Sequence, residues 1–142
     1  MRRVLRALVV LQALLPLQAL LPLAAFAANE KVLLEINSVE SADNRCRVSF
    51  VIENKSEIAI ESLKLDLVAF GTDGGILRRL ITEMGPLYAA KTMVRVFMID
   101  AECPQLGAIL VNDVMACSPG EPGACLGGLG LSSRVKSLRF YK

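Results

Sequence analysis

The stretch CRVSFVIENKSEIAIESLKLDLVAFGTDGGILRRL, residues 46–80, holds two runs in which apolar and polar side chains alternate. Cys46, Val48, Phe50 and Ile52 alternate with Arg45, Arg47, Ser49 and Glu53; Leu63, Leu65, Leu67 and Ala69 alternate with Ser62, Lys64 and Asp66. A period of two predicts strands with one buried face, because successive side chains of a strand point to opposite sides of the sheet. The polar triplet Asn54-Lys55-Ser56 stops the first run, and Thr72-Asp73-Gly74-Gly75 stops the second. An Asp-Gly pair between strands predicts a hairpin, since glycine accepts the positive φ that the turn demands.

The same reading extends outward. Val32, Leu34 and Ile36 alternate with Lys31, Glu35 and Asn37, with Leu33 out of step, and Ile76 to Glu83 forms the return arm of the hairpin. Gly85-Pro86 breaks the chain before Thr92 to Ile99, an apolar run follows from Leu106 to Met115, and Ser133 to Tyr141 supplies a last strand. No helical period is visible after residue 28, which leaves residues 57–62 and 126–132 as the places for a short helical turn. About seven strands over about 115 residues predict an all-β fold, an immunoglobulin-like antiparallel β-sandwich stapled by disulfides. A small β-barrel is the alternative.

Residues 46–80, followed by MGPLYAAKTMVRVFMI at 84–99, resemble the strand-turn-strand core of exported bacterial immunoglobulin-like domains of the FxLYD type. Val68-Ala69-Phe70 stands where that type carries its aromatic-rich motif. With its four cysteines, the chain after the leader is also similar to a family of exported, periplasmic proteins of alphaproteobacteria. The resemblance implies a sandwich and a bacterial setting, and brings no catalytic residues.

The amino terminus predicts the compartment. Arg2, Arg3 and Arg6 precede an uncharged stretch from Ala7 to Asn29 that ends in Ala24-Ala25-Phe26-Ala27-Ala28, the layout of a secretory signal peptide. Cleavage after Ala27 places Ala25 and Ala27 at the small-residue positions, with Ala28 the neighbouring choice. The expected organisation is therefore a signal peptide over 1–27 and a β-sandwich domain over 28–142. A hexapeptide occurs twice, at 12–17 and 18–23, each copy with a glutamine and a proline, which suits a cleaved leader better than a retained anchor. The Arg2-Arg3 pair hints at twin-arginine export, but Val4-Leu5-Arg6 does not continue that pattern well, and ordinary leader charge is the preferred reading. Loss of Arg2, Arg3 and Arg6 from the sixteen basic residues leaves thirteen against fourteen acidic, near −1. No nucleic-acid partner and no stable membrane insertion are expected of such a chain.

The composition also closes off chemistry. With no histidine, the chain lacks Ser-His and Cys-His nucleophilic pairs, imidazole acid-base catalysis and every histidine-containing metal site. Acidic residues are scattered as Glu53, Glu57, Glu61, Asp66, Asp73 and Glu83, expected on solvent faces or at turns, without the spacing of a glycosidase pair or a calcium loop. The basic residues Arg45, Arg47, Arg78 and Arg79 are expected on solvated strand faces. Leu126-Gly127-Gly128-Leu129-Gly130 lacks the lysine of a phosphate loop and reads as a turn. Asn54-Lys55-Ser56 fits a glycosylation pattern and likewise reads as a turn. No enzyme activity, cofactor or metal is expected.

Cys46, Cys103, Cys117 and Cys125 make an even set in a short exported chain, which predicts a disulfide framework. The expected pairs are Cys46 with Cys103 and Cys117 with Cys125. A four-cysteine zinc site and a thioredoxin-like pair are the alternatives, and both want a Cys-x-x-Cys spacing that does not occur. The glycines and prolines within Cys117 to Cys125 predict a tight, stapled connection before the last strand, and Ser118, Pro119, Gly120, Glu121 and Pro122 are the candidate recognition loop if the protein displays one. The functional expectation is an exported, non-catalytic interaction or structural module of the bacterial periplasm, or a secreted one. It offers an edge strand or loop to another exported or envelope protein. A small-ligand or envelope-component binder, or an accessory subunit of an enzyme, is the alternative.

Overall fold

Alternation decides which face of each strand is buried. In β2 (Arg45–Asn54), Cys46, Val48, Phe50 and Ile52 are buried to within 1% exposure, and the same inward face ends on the buried Asn54. The computed structural model describes residues 30–142; the expected signal peptide over 1–27 lies outside the described residues. The other strands are β1 (Val32–Ala42), β3 (Ser62–Gly71), β4 (Ile76–Glu83), β5 (Lys91–Ile99), β6 (Leu106–Ser118), β7 (Leu129–Ser133) and β8 (Arg139–Tyr141). A 3-10 turn at Cys103–Gln105 and a six-residue helix, α1 (Pro122–Gly127), complete the chain.

The strands form an immunoglobulin-like β-sandwich of two four-stranded sheets, ordered β5-β2-β1-β7 and β4-β3-β6-β8. The β3–β4 hairpin turns at Asp73-Gly74, where Gly74 has φ of 84° and the Asp73 carboxylate accepts from the Gly75 amide at 2.9 Å. In the interior, Phe50 meets Phe97 of β5 within its own sheet and Phe140 of β8 across the sheets, both edge-on, with ring centroids 5.9 and 5.6 Å away. Such edge-to-face pairs each add about 0.5–1.5 kcal/mol beyond the area they bury. Leu34, Ile36, Leu65, Leu67 and Ile109 fill the rest of the interior.

Two features differ from the sequence reading. The expected last strand, Ser133 to Tyr141, is a strand only at β8 (Arg139–Tyr141), and an unexpected strand, β7, forms just before it at Leu129–Ser133 in the other sheet, so there are eight among the described residues. β7 runs parallel to β1, with Leu34 opposite Leu131, and β8 runs parallel to β6, with Ile109 opposite Phe140. The chain crosses between the sheets at residues 134–138, anchored by the Arg134 amide on the Ile36 carbonyl at 2.9 Å and by the buried Leu138. Neither expected helical turn lies quite where periodicity placed it. Residues 57–62 contain no helix: Ile60 makes an isolated bridge with Leu87 and Ser62 opens β3. The helix begins at Pro122, whose fixed φ and missing N–H suit the first helical position.

The structure joins Cys46 to Cys103 and Cys117 to Cys125, the expected pairs, and leaves no free cysteine among the described residues. The first bridge ties the start of β2 to the 3-10 turn; the second ties the end of β6 to α1. A disulfide-stapled chain of this kind fits an oxidising compartment. No helix among the described residues is long and apolar enough to cross a membrane.

Candidate functional site

At the end of the sandwich where β1 and β7 begin and β2 and β6 finish, a groove of about 650 Å³ opens between the loop 55–61 and the Cys117–Cys125 loop. Its apolar lining comes from Val32, Ile58, Ile60, Leu63, Leu129 and the disulfide itself, and Glu30, Lys31, Lys55 and Glu57 also border it. Val32, Leu63 and Leu129 are core residues, so the groove is the mouth of the interior. Ile58, in contrast, is 63% exposed on the loop 55–61.

Of the candidate recognition residues, Pro119 and Gly120 line this groove, while Ser118, Glu121 and Pro122 are held to neighbouring structure. Ser118 is the last residue of β6, and its carbonyl accepts from the Glu61 amide at 2.6 Å. Glu121 caps α1 and its carbonyl accepts from Cys125 at 3.0 Å. Gly120 has φ of 137°, a backbone region that favours glycine, and a Cβ there would come within 3.3 Å of the Cys125 sulfur. The segment is thus a stapled helical turn, more structured than the tight connection its glycines and prolines predict.

Both walls are held by side-chain hydrogen bonds to backbone carbonyls, buried at Asn54 and largely exposed at Lys142. The Asn54 side-chain amide donates to the carbonyls of Ile58 at 2.9 Å and Tyr88 at 3.2 Å, and its oxygen accepts from the Ser56 amide and hydroxyl at 3.1 and 2.8 Å. Asn54 is fully buried, so the triplet Asn54-Lys55-Ser56 is the frame of the loop 55–61. Sequence reasoning identified the turn but not this role; an Asn on the inward parity of an alternating strand was the available signal. On the other wall, Lys142 Nζ donates to the carbonyls of Leu126 at 2.8 Å, Gly127 at 3.3 Å and Leu129 at 2.5 Å, closing the end of α1. The Gly128 carbonyl then accepts from Lys31 and Val32, joining α1 to β1.

Polar chemistry lies elsewhere. Asp66, expected on a solvent face, is buried: Arg79 donates Nε to Oδ1 at 2.8 Å and Nη2 to Oδ2 at 2.7 Å, and Asn112 donates to Oδ2 at 2.6 Å. The Arg79 guanidinium, aided by Asn112 and opposed by burial, holds the Asp66 carboxyl below its ordinary value. Arg79, in turn, is an ion-paired residue and not a freely solvated one. Glu83 accepts from the Ser62 hydroxyl at 2.8 Å and from the Leu63 and Gly85 amides at 2.7 and 2.9 Å. Burial raises its pKa, but the Ser62 hydroxyl, the two amides and nearby Lys64 outweigh that effect and lower it. These carboxylates join strands and do not face the groove. Among the described residues no three of the Cys, Asp and Glu side chains are gathered as a metal site.

No protein-family model and no curated protein matches the chain. Among solved structures it is similar to IrmA from Escherichia coli, with 14% sequence identity and a TM-score of 0.54, over 70% of this chain and 89% of that one. At that identity the likeness is one of fold alone: the eight strands fold as a sandwich that unrelated sequences can share without sharing its residues.

Proposed function

We propose that the protein is an exported, non-catalytic interaction module of the bacterial periplasm, and that it engages an apolar segment of another exported or envelope protein in the groove beside the Cys117–Cys125 loop. The observation that carries this reading is the contrast between a filled interior and an open apolar mouth. Phe50 and its neighbours leave the core packed, whereas Ile58 stands exposed above a groove of about 650 Å³ whose two walls are rigidly held. The rigid walls support binding, because a preformed surface loses little conformational entropy when a partner docks. The leader sequence and the two disulfides support export, and the resemblance noted above supports a bacterial periplasm.

The test is affinity capture by residues 28–142 from a periplasmic extract of the source bacterium, without reductant, comparing the wild type with Ile58→Asp. Ile58 is exposed, so the variant keeps its fold, and a partner recovered by the wild type is lost from the variant. Equal recovery by both, or no reproducible partner, overturns the reading. One observation favours a second reading, a small-ligand binder: the groove falls within the range of about 300–1,000 Å³ usual for small-molecule sites. Mass spectrometry of a solvent extract of the natively purified protein decides it, a stoichiometric small molecule supporting it and a bare protein counting against it.

A further inference from the structure

Strand β5 is an edge of its sheet, paired with β2 on one side and with no strand on the other among the described residues. It reads KTMVRVFMI, with two basic residues and no acidic one. Val94 and Val96 are 57% and 51% exposed, and Arg95 lies between them. Edge strands present unpaired backbone groups, and charged side chains commonly protect them.

Arg95, like Arg45 and Arg139, makes no ion pair among the described residues, in contrast to three other strand arginines. Arg47 pairs with Glu40, Arg78 with Asp100 and Arg79 with Asp66. The Arg95 guanidinium has no carboxylate within ion-pair distance among the described residues; it donates to backbone carbonyls, Nη1 to Val94 at 3.2 Å and Nη2 to Pro86 at 3.0 Å. It therefore covers a carbonyl of its own strand. An incoming strand that supplies a carboxylate gives this guanidinium a better partner, since charge-assisted hydrogen bonds are roughly twice as strong as neutral ones. The same move uncovers the Val94 carbonyl.

We infer that the β5 edge is a second interaction surface, distinct from the groove, which accepts an extended segment of a partner protein carrying an acidic residue opposite Arg95 between apolar residues that cover Val94 and Val96. Charge selects this occupant. A second copy of β5, paired antiparallel so that Val94 and Val96 cover each other, sets Arg95 directly against Arg95, with no acid anywhere in the strand to relieve it, and like charges directly opposite repel. Backbone pairing supplies affinity and the acidic residue supplies register, as in strand addition generally.

The test uses two fluorescently labelled peptides, acetyl-Thr-Val-Glu-Val-Thr-Val and the same sequence with Lys in place of Glu, against residues 28–142. The wild type binds the Glu peptide about five- to tenfold more tightly than the Lys peptide, the scale of a cross-strand charge reversal. Arg95→Glu inverts the preference, Arg95→Gln abolishes it, and amide exchange slows along 91–99 in the complex. The thermal midpoints of both variants are measured first, and Arg95→Gln carries the comparison if Arg95→Glu is unfolded. Equal binding of the two peptides, binding of neither, a preference indifferent to Arg95, or protection confined to the groove overturns the inference.

Discussion

Arg79 grips the buried carboxylate of Asp66 with two parallel hydrogen bonds, at 2.8 and 2.7 Å, from the neighbouring strand of the same sheet. Asp66 is 1% exposed in its side chain while that of Arg79 is 66% exposed, so the pair is anchored at one end and open to solvent at the other. Asp66→Asn keeps the shape and removes the charge. We expect it to cost about 1.5 kcal/mol in urea unfolding, the low end for charge-assisted hydrogen bonds, because solvent screens the guanidinium. An unchanged urea midpoint contradicts this role.

The lowered pKa values of Asp66 and Glu83 predict acid sensitivity of a definite sign. Both carboxyls give up protons more readily folded than unfolded. Their contribution is complete above the unfolded values, about 3.9 for Asp and 4.3 for Glu, and is lost as pH falls through the lower folded values. The thermal midpoint should hold between pH 7 and pH 5 as far as these two groups are concerned and decline below about pH 4. The decline should be shallower in the double variant Asp66→Asn/Glu83→Gln; the same slope in both proteins assigns acid loss to other groups.

Asn54 positions the loop 55–61 without lining the groove, and its replacement separates framework from binding surface. Asn54→Ala leaves the Tyr88 carbonyl without its side-chain donor and the Ile58 carbonyl with the Ser56 hydroxyl alone, and costs about 1–3 kcal/mol. Amide exchange should quicken across residues 55–60 before global unfolding. Exchange that quickens uniformly over the whole chain counts against a local role.

The two disulfides close loops of very different length, 57 and 8 residues apart in sequence. Chain entropy assigns about 4 kcal/mol to the long loop and about 2.5 kcal/mol to the short one. Removing the pair Cys46/Cys103 by alanine should therefore lower stability more than removing Cys117/Cys125, and partner capture should suffer more from the second change than from the first. The reverse order in either measurement contradicts the division between a structural bridge and a groove-wall bridge.

Much of this architecture was legible in the sequence. The alternation in β2, broken at Val51, and the Asp-Gly hairpin are local signals, legible without knowledge of distant partners. β7 was not legible because LGLSS has no alternation and two of its residues sit in a glycine-rich run; it becomes a strand by pairing with β1, a partner almost a hundred residues earlier. Asp66 was misplaced for a similar reason. β3 is central in its sheet, and its residues 65–69 are buried on both faces, so period two marks sidedness but not exposure. The groove itself required three segments distant in sequence, at 30–32, 55–63 and 117–129. Only the last of these, through its cysteines, announced itself.

The most direct test of the central claim places a photo-reactive side chain at the groove in the living cell. Ile58→p-benzoylphenylalanine, in residues 1–142 expressed in the source organism, should yield on irradiation one discrete cross-linked adduct with an exported or envelope protein. The same substitution at Glu40, exposed near the other end of β1, should yield none, and the adduct at position 58 should vanish with Cys117→Ala/Cys125→Ala. No adduct at position 58, or the same adduct from both positions, contradicts a groove-directed interaction module.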